Sequence, residues 1–108
     1  MKQLIWISYD LGIDGDYESL YHWLDSKSAR ECGDNIAVLS YEYSNSLLSD
    51  IKRDLKKSVG LRDKDRVYII YRDKKTKLLK GKFIVGKRKL APWKGYSGVI
   101  SEDIEDEG

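Results

Sequence analysis

The sequence predicts an α+β fold in which two helices lie on one face of an antiparallel sheet. Three observations predict it. Apolar, β-branched and aromatic runs of strand length occur at residues 3–9, 36–43, 66–71 and 78–85. Two segments, opening near residues 17 and 46, instead repeat their apolar positions every three or four residues, the period of a helix. The segments follow one another as strand, helix, two strands, helix, two strands, without a long linker or an internal repeat.

Each element has its own signature. Gln3 to Tyr9 is a strand ending at Asp10, and its apolar groups (Leu4 and Trp6 on one side, Ile5 and Ile7 on the other) predict burial on both faces. Asp10 to Gly15 is a loop marked by two glycines. Tyr17, Leu20, Tyr21 and Leu24 form the apolar stripe of the first helix, and Asp14 or Asp16 can cap it by accepting its unpaired backbone N–H groups. Cys32-Gly33-Asp34-Asn35 carries tight-turn chemistry. It favours a short strand at Ala29 to Cys32 hairpinned to Ile36–Tyr43; the alternative is that Gly33 simply ends the first helix. Ser46 is the expected cap of the second helix, with Leu48, Ile51, Leu55 and Val59 as its buried stripe and Gly60 as its stop.

Arg66 to Tyr71 is apolar on both faces, as a central strand is. Asp73 to Lys77 is a polar turn. In the last strand, Leu78 to Val85, Gly81 and Gly86 suggest bends or a bulge. This β-α-β-β-α-β order with an added C-terminal strand points to a ferredoxin-like sandwich spanning residues 1–97, whose second sheet face is left to be covered or used. Residues 98–108 are acidic and are expected to be a disordered tail.

Composition narrows the classes. A chain of 108 residues is one domain, able to bury about two-thirds of its unfolded surface without staples. Charged residues make up 35% of it, but both signs are present beside 41% hydrophobic residues, so a folded chain is expected. Cys32 is the lone cysteine, which excludes an internal disulfide framework and fits a reducing compartment as an inert thiol. His22 lies off the apolar stripe of its helix, so no histidine-based triad is available. P-loop, zinc and dinucleotide motifs are absent from the sequence. The first apolar run is too short for a signal peptide or a membrane span, so a cytoplasmic protein without a membrane partner is expected.

Charge is segregated along the chain. Residues 1–51 hold three bases and nine acids, residues 52–94 hold seventeen bases and four acids, and residues 95–108 hold five acids and no base. A formal net charge of +2 therefore conceals a strongly basic middle segment. Within it Lys74, Lys75, Lys77, Lys80, Lys82, Lys87, Arg88 and Lys89 follow closely, and Trp93, Lys94 and Tyr96 come next. Bases neutralise phosphates and release counterions, and exposed rings stack on unpaired bases, so RNA or DNA is the expected partner. The competing reading is a solvated hairpin face, with Trp93 and Tyr96 packed into the core or a dimer interface.

The opening Ile7-Ser8-Tyr9-Asp10-Leu11, followed by Asp16-Tyr17 and Leu20, resembles the start of SinR-like proteins, relatives of the CRISPR-associated Cas-two proteins. Asp65-Arg66-Val67-Tyr68-Ile69-Ile70 and Ala91-Pro92-Trp93-Lys94-Gly95-Tyr96 are compatible with later stretches of that family. The resemblance implies a ferredoxin-like homodimer and, as in some members, a divalent-metal-dependent endonuclease. Asp10 would then be the catalytic and metal-binding residue, holding Mg2+ near the dimer axis, where such an ion activates water and stabilises charge on phosphate. Asp14, Asp16 and Glu18 could join it. The chain departs from the family in the acidic Glu18 and Asp25 of its first helix, where nuclease-like relatives often carry bases, and in lacking a clear Ser-x-aromatic pattern at 35–43. Those departures favour the alternative of a non-catalytic, antitoxin-like interaction module.

Overall fold

A computed structural model describes residues 1–98; the predicted acidic tail from residue 99 onward lies outside the described residues. Seven elements occur in the expected order: β1 (Lys2–Asp10), α1 (Tyr17–Ser26), β2 (Arg30–Gly33), β3 (Ile36–Glu42), α2 (Leu47–Ser58), β4 (Arg66–Arg72) and β5 (Leu79–Val85). The strands form one sheet in the order β2-β3-β1-β4-β5, and all neighbours are antiparallel. The chain is thus an α+β fold with a five-stranded antiparallel sheet and two helices.

Strand periodicity divides the sheet into two unlike faces. Ile5, Ile7 and Tyr9 of β1, Ala37, Leu39 and Tyr41 of β3 and Val67 and Ile69 of β4 are buried in one cluster with Leu20, Trp23 and Leu24 of α1 and Leu47, Ile51 and Leu55 of α2. Both helices therefore cover the same face. The opposite face carries Leu4, Trp6, Ser8 and Asp10 of β1, which stand in register with Ser40, Val38 and Ile36 of β3 and with Ile70, Tyr68 and Arg66 of β4. β1 is consequently not buried on both sides as its composition predicts: Leu4 is 50% exposed, and Trp6 and Ser8 are only half-buried. An apolar strand can lie next to open solvent when its apolar side chains shield one another, and composition alone does not register the difference.

The hairpin reading of residues 29–43 holds, because Gly33 pairs with Ile36 across the two-residue turn Asp34-Asn35, and Asn35 takes the left-handed conformation at φ 63°. On α1 the buried residues are Leu20, Trp23 and Leu24, whereas Tyr21 is 52% exposed. Trp23 displaces Tyr21 from the expected stripe because its larger apolar ring gains more from burial. On α2 Leu47 is buried in place of the half-buried Leu48.

Capping also differs from the expectation. Asp16 caps α1, accepting the Ser19 N–H at 3.2 Å, and it also accepts the Gly60 N–H at 2.8 Å from the segment after α2. Ser46 precedes α2 but its hydroxyl makes no capping bond. Asp50 in the first turns of the helix instead holds the segment that leads into it, its carboxylate accepting the Ser44 and Asn45 N–H groups at 2.9 and 3.4 Å. The irregularity expected in the last strand is present: Val67 and Tyr68 face Val85 and Phe83, which leaves Ile84 as the extra residue of a β-bulge in β5, closer to Gly86 than to Gly81. Gly81 instead makes room for the Tyr68 ring, onto which a Cβ at this position would fall.

Candidate nucleic-acid interface

The basic residues predicted as one cluster are distributed by the fold along the edge strand β5. Lys74, Lys75 and Lys77 lie in or beside the β4–β5 turn, where Asp73 accepts hydrogen bonds from the Thr76 N–H and hydroxyl at 2.9 and 2.8 Å. Lys80 and Lys82 lie on β5, in register with Tyr71 and Ile69. Lys87, Arg88 and Lys89 follow β5 at the opposite end of the sheet. Seven strand residues separate the two ends by about 23 Å at roughly 3.3 Å per residue. The sequence cluster is therefore a strip, not a compact patch.

Some of these cations are engaged. Lys80 lies 4.0 Å from Asp73, and the Lys74 ammonium stands 5.2 Å from the Tyr43 ring. Lys75, Lys77, Lys82, Lys87 and Lys89 form no ion pair among the described residues. On the other side of β5, Lys52 and Lys56 of α2 line an open cleft with Ile84, Val85 and Gly86, which extends the positive field around the edge.

Beyond β5 the chain runs through successive turns closed by Lys94 N–H to Ala91 O, Tyr96 N–H to Trp93 O and Gly98 N–H to Gly95 O. This arm leaves Trp93 73% and Tyr96 88% exposed. The two rings are thus not packed into the core of the single chain.

Asp10 sits at the C-terminal end of β1 on the open face. Ser8, Asp10, Arg66, Tyr68, Phe83 and Arg88 line a cleft of about 250 Å³, smaller than the ~300–1,000 Å³ of ordinary small-molecule pockets. The Tyr68 and Phe83 rings meet edge to face with centroids 4.7 Å apart. The Arg88 guanidinium stands 5.7 Å from the first centroid and 5.4 Å from the second. One Asp10 oxygen accepts the Gly12 N–H at 3.1 Å, and the other lies 3.5 Å from Arg66.

Magnesium takes an octahedral shell of oxygen ligands, usually one or two carboxylates completed by water. Within one chain Asp10 brings a single carboxylate to this cleft, beside the Arg66 guanidinium. Among the described residues no three His, Cys, Asp or Glu side chains are grouped to hold a metal ion. The other acids proposed from sequence are committed elsewhere or face solvent. Asp16 is the double cap described above, and Glu18 is exposed in the first turn of α1.

Asp14 pairs with Arg62 at 2.9 Å and with Lys64 at 3.3 Å, which hold its carboxyl down at about 2. Arg62 also donates to Leu11 O at 2.6 Å and pairs at 3.1 Å with Asp65, which is fully buried. This arginine ties the β1–α1 loop to the α2–β4 loop, a structural role that its sequence neighbourhood did not signal.

No helix of the described residues is long and apolar enough to cross a membrane. No family model, curated protein or solved structure matches the chain.

Proposed function

We propose that the protein binds nucleic acid through the cationic strip along β5. One observation carries the reading: five lysines without ion pairs are strung along and beyond a single edge strand, at a spacing that lets several phosphates be met at once. One or two edge charges suffice to block unwanted strand pairing. A strip that continues past the strand at both ends, and is joined by Lys52 and Lys56 of α2, exceeds that need.

The order β2-β3-β1-β4 supports reading the first four strands and both helices as a ferredoxin-like sandwich with β5 added at its edge. The Cas-two-like resemblance of the opening motif is consistent with the same reading. The deciding experiment is fluorescence anisotropy with labelled RNA and DNA oligonucleotides over a salt series. Binding that weakens linearly in log salt supports the proposal, and absence of binding at low salt overturns it.

A second reading keeps Asp10 as a metal-dependent endonuclease residue in a homodimer. It is favoured by the position of Asp10, half exposed on a sheet face that no helix covers, where a second copy could bring another carboxylate to the same ion. Light scattering and magnesium-dependent cleavage assays test it. A monomeric mass or the absence of cleavage removes it.

A further inference from the structure

We infer that the open face of the sheet takes the unpaired bases of a single-stranded nucleic acid, an inference that rests on the proposed binding function and names its substrate class. Its apolar surface is aromatic and aliphatic: Trp6, Tyr68 and Phe83 are half-buried with Ile70 and Val38, and Leu4 at one end is 50% exposed. Such a surface has two natural occupants, a second copy of the chain or the faces of nucleobases. Charge chooses between them. Lys2 and Glu42 stand opposite one another and offset. Arg30 stands in register with Val38, and Arg66 and Arg72 stand in register on β4, so three arginines of the sheet share this face with Asp10. Arg88 reaches it from beyond β5. Two copies placed face to face would set this net positive surface against itself, whereas a polyanion is drawn to it.

The cleft adds the geometry. Arg88 lies within cation–π distance of the Tyr68 and Phe83 rings, so the cleft joins two aromatic rings to a cation, the combination on which unpaired bases stack beside their phosphates. The cleft volume of about 250 Å³ suits one flat group rather than a larger ligand. The lysine strip then carries the phosphates along the adjacent edge, so bases and backbone are met by neighbouring but different surfaces. A duplex hides its base faces and reaches only the strip.

The test compares four twelve-nucleotide probes with the wild-type protein: oligo-dT, oligo-U, a hairpin duplex, and an abasic deoxyribose-phosphate strand. Oligo-dT or oligo-U is expected to bind about tenfold or more tightly than the abasic strand and the duplex, in line with the stacking contribution of one to two bases. The dT and U arms separate DNA from RNA. Phe83→Leu and Trp6→Leu keep the face apolar, and each is expected to weaken single-strand binding about tenfold while leaving the slope of log affinity against log salt unchanged. Equal affinity for abasic and normal strands overturns the inference yet leaves phosphate binding intact. Loss of all binding in the wild-type protein overturns both. A dimeric mass that Leu4→Glu converts to a monomer assigns the face to a second copy and also overturns the inference.

Discussion

The ring of Tyr68 on β4 lies across Gly81 on β5, occupying the space that a side chain at 81 would need. The register places Tyr68 opposite Phe83 and Gly81 opposite Ile70, so the contact is diagonal. It fixes the ring in the cleft beside Asp10. An edge glycine weakens a strand through its backbone freedom, and an aromatic side chain laid over it recovers part of that loss.

Gly81→Ala is therefore expected to destabilise the fold by about 1 kcal/mol, at the low end of the ~1–3 kcal/mol cost of overpacking because the phenol can swing toward solvent. Urea denaturation measures it. Tyr68→Leu in the same background removes the clash, so the double variant is expected to be more stable than the sum of the two single changes predicts. Strict additivity would show that the ring does not depend on the glycine.

Tyr41 joins β3 to α2. Its one hydroxyl hydrogen is within reach of Asp54 Oδ2 at 3.0 Å and Asp50 O at 3.2 Å, and Lys27 pairs with the same Asp54 oxygen at 3.2 Å. Burial first, and the Asp54 hydrogen bond second, push the phenol well above its ordinary range, so it stays a neutral donor. Tyr41→Phe is expected to cost about 1–2 kcal/mol by removing a partly buried hydrogen bond to a charged group. An unchanged urea midpoint would mean that water replaces the hydroxyl at no cost.

The sheet and the β2–β3 hairpin were legible because period-two alternation and the Gly33-Asp34-Asn35 turn are local signals. What could not be read locally was the side of the sheet that a residue ends on. Leu4 and Trp6 have the composition of buried residues, yet they face away from both helices. Gly81 reads as a bend until the diagonal position of Tyr68 is known. Arg62 lies in a charged loop, and only the approach of Asp14, Leu11 and buried Asp65 turns it into a tie between loops. At the candidate site, sequence identified Asp10 and the basic residues. The partnership of Asp10 with Arg66, and of Arg88 with two rings, depends on strand register and a chain reversal.

Acid should unfold the protein through depressed carboxyls. Asp14 is lowered by its hydrogen bonds from Arg62, then Lys64; Asp16 is lowered first by the Gly60 N–H; Asp50 first by the Ser44 N–H; and Asp73 first by the Thr76 N–H. A carboxyl whose folded value lies below its unfolded one stabilises the fold above the unfolded value, near 4, and loses that contribution as pH falls through the folded one. The thermal midpoint is thus expected to depend little on these groups above about pH 5 and to fall between about pH 4 and 2. Asp14→Asn should flatten the lower part of that fall. High salt should shrink the difference, since Asp14 is exposed. An identical acid profile in the variant would remove Asp14 from the account.

The lysine strip makes a quantitative claim about salt. Each duplex phosphate contact contributes about 0.9 to the slope of log affinity against log salt, and each single-strand contact about 0.7. Lys87→Ala with Lys89→Ala is expected to reduce the slope for single strands by about 1.4 if both meet phosphate. Lys57→Ala, in the cleft lined by Asp50 and Asp54 on the other side of α2, should leave it unchanged. Equal slopes in all three proteins would return the strip to a solvated edge.

Asp10 separates the binding and catalytic readings with one substitution. It shares one end of the open face with Arg66 and Arg88, and its pair with Arg66 is long, at 3.5 Å, and half exposed. Loss of such a pair costs about 0–1 kcal/mol, so Asp10→Asn should fold normally. If the face binds nucleic acid, removing this negative charge is expected to strengthen binding a few-fold, with or without magnesium. If Asp10 holds a catalytic ion, the same variant loses magnesium-dependent cleavage and gains little in binding. Anisotropy and a cleavage gel on the same samples, each with magnesium and with EDTA, read both outcomes. Weaker binding by Asp10→Asn in EDTA would count against the binding face, because no phosphate contact improves when a neighbouring carboxylate is kept.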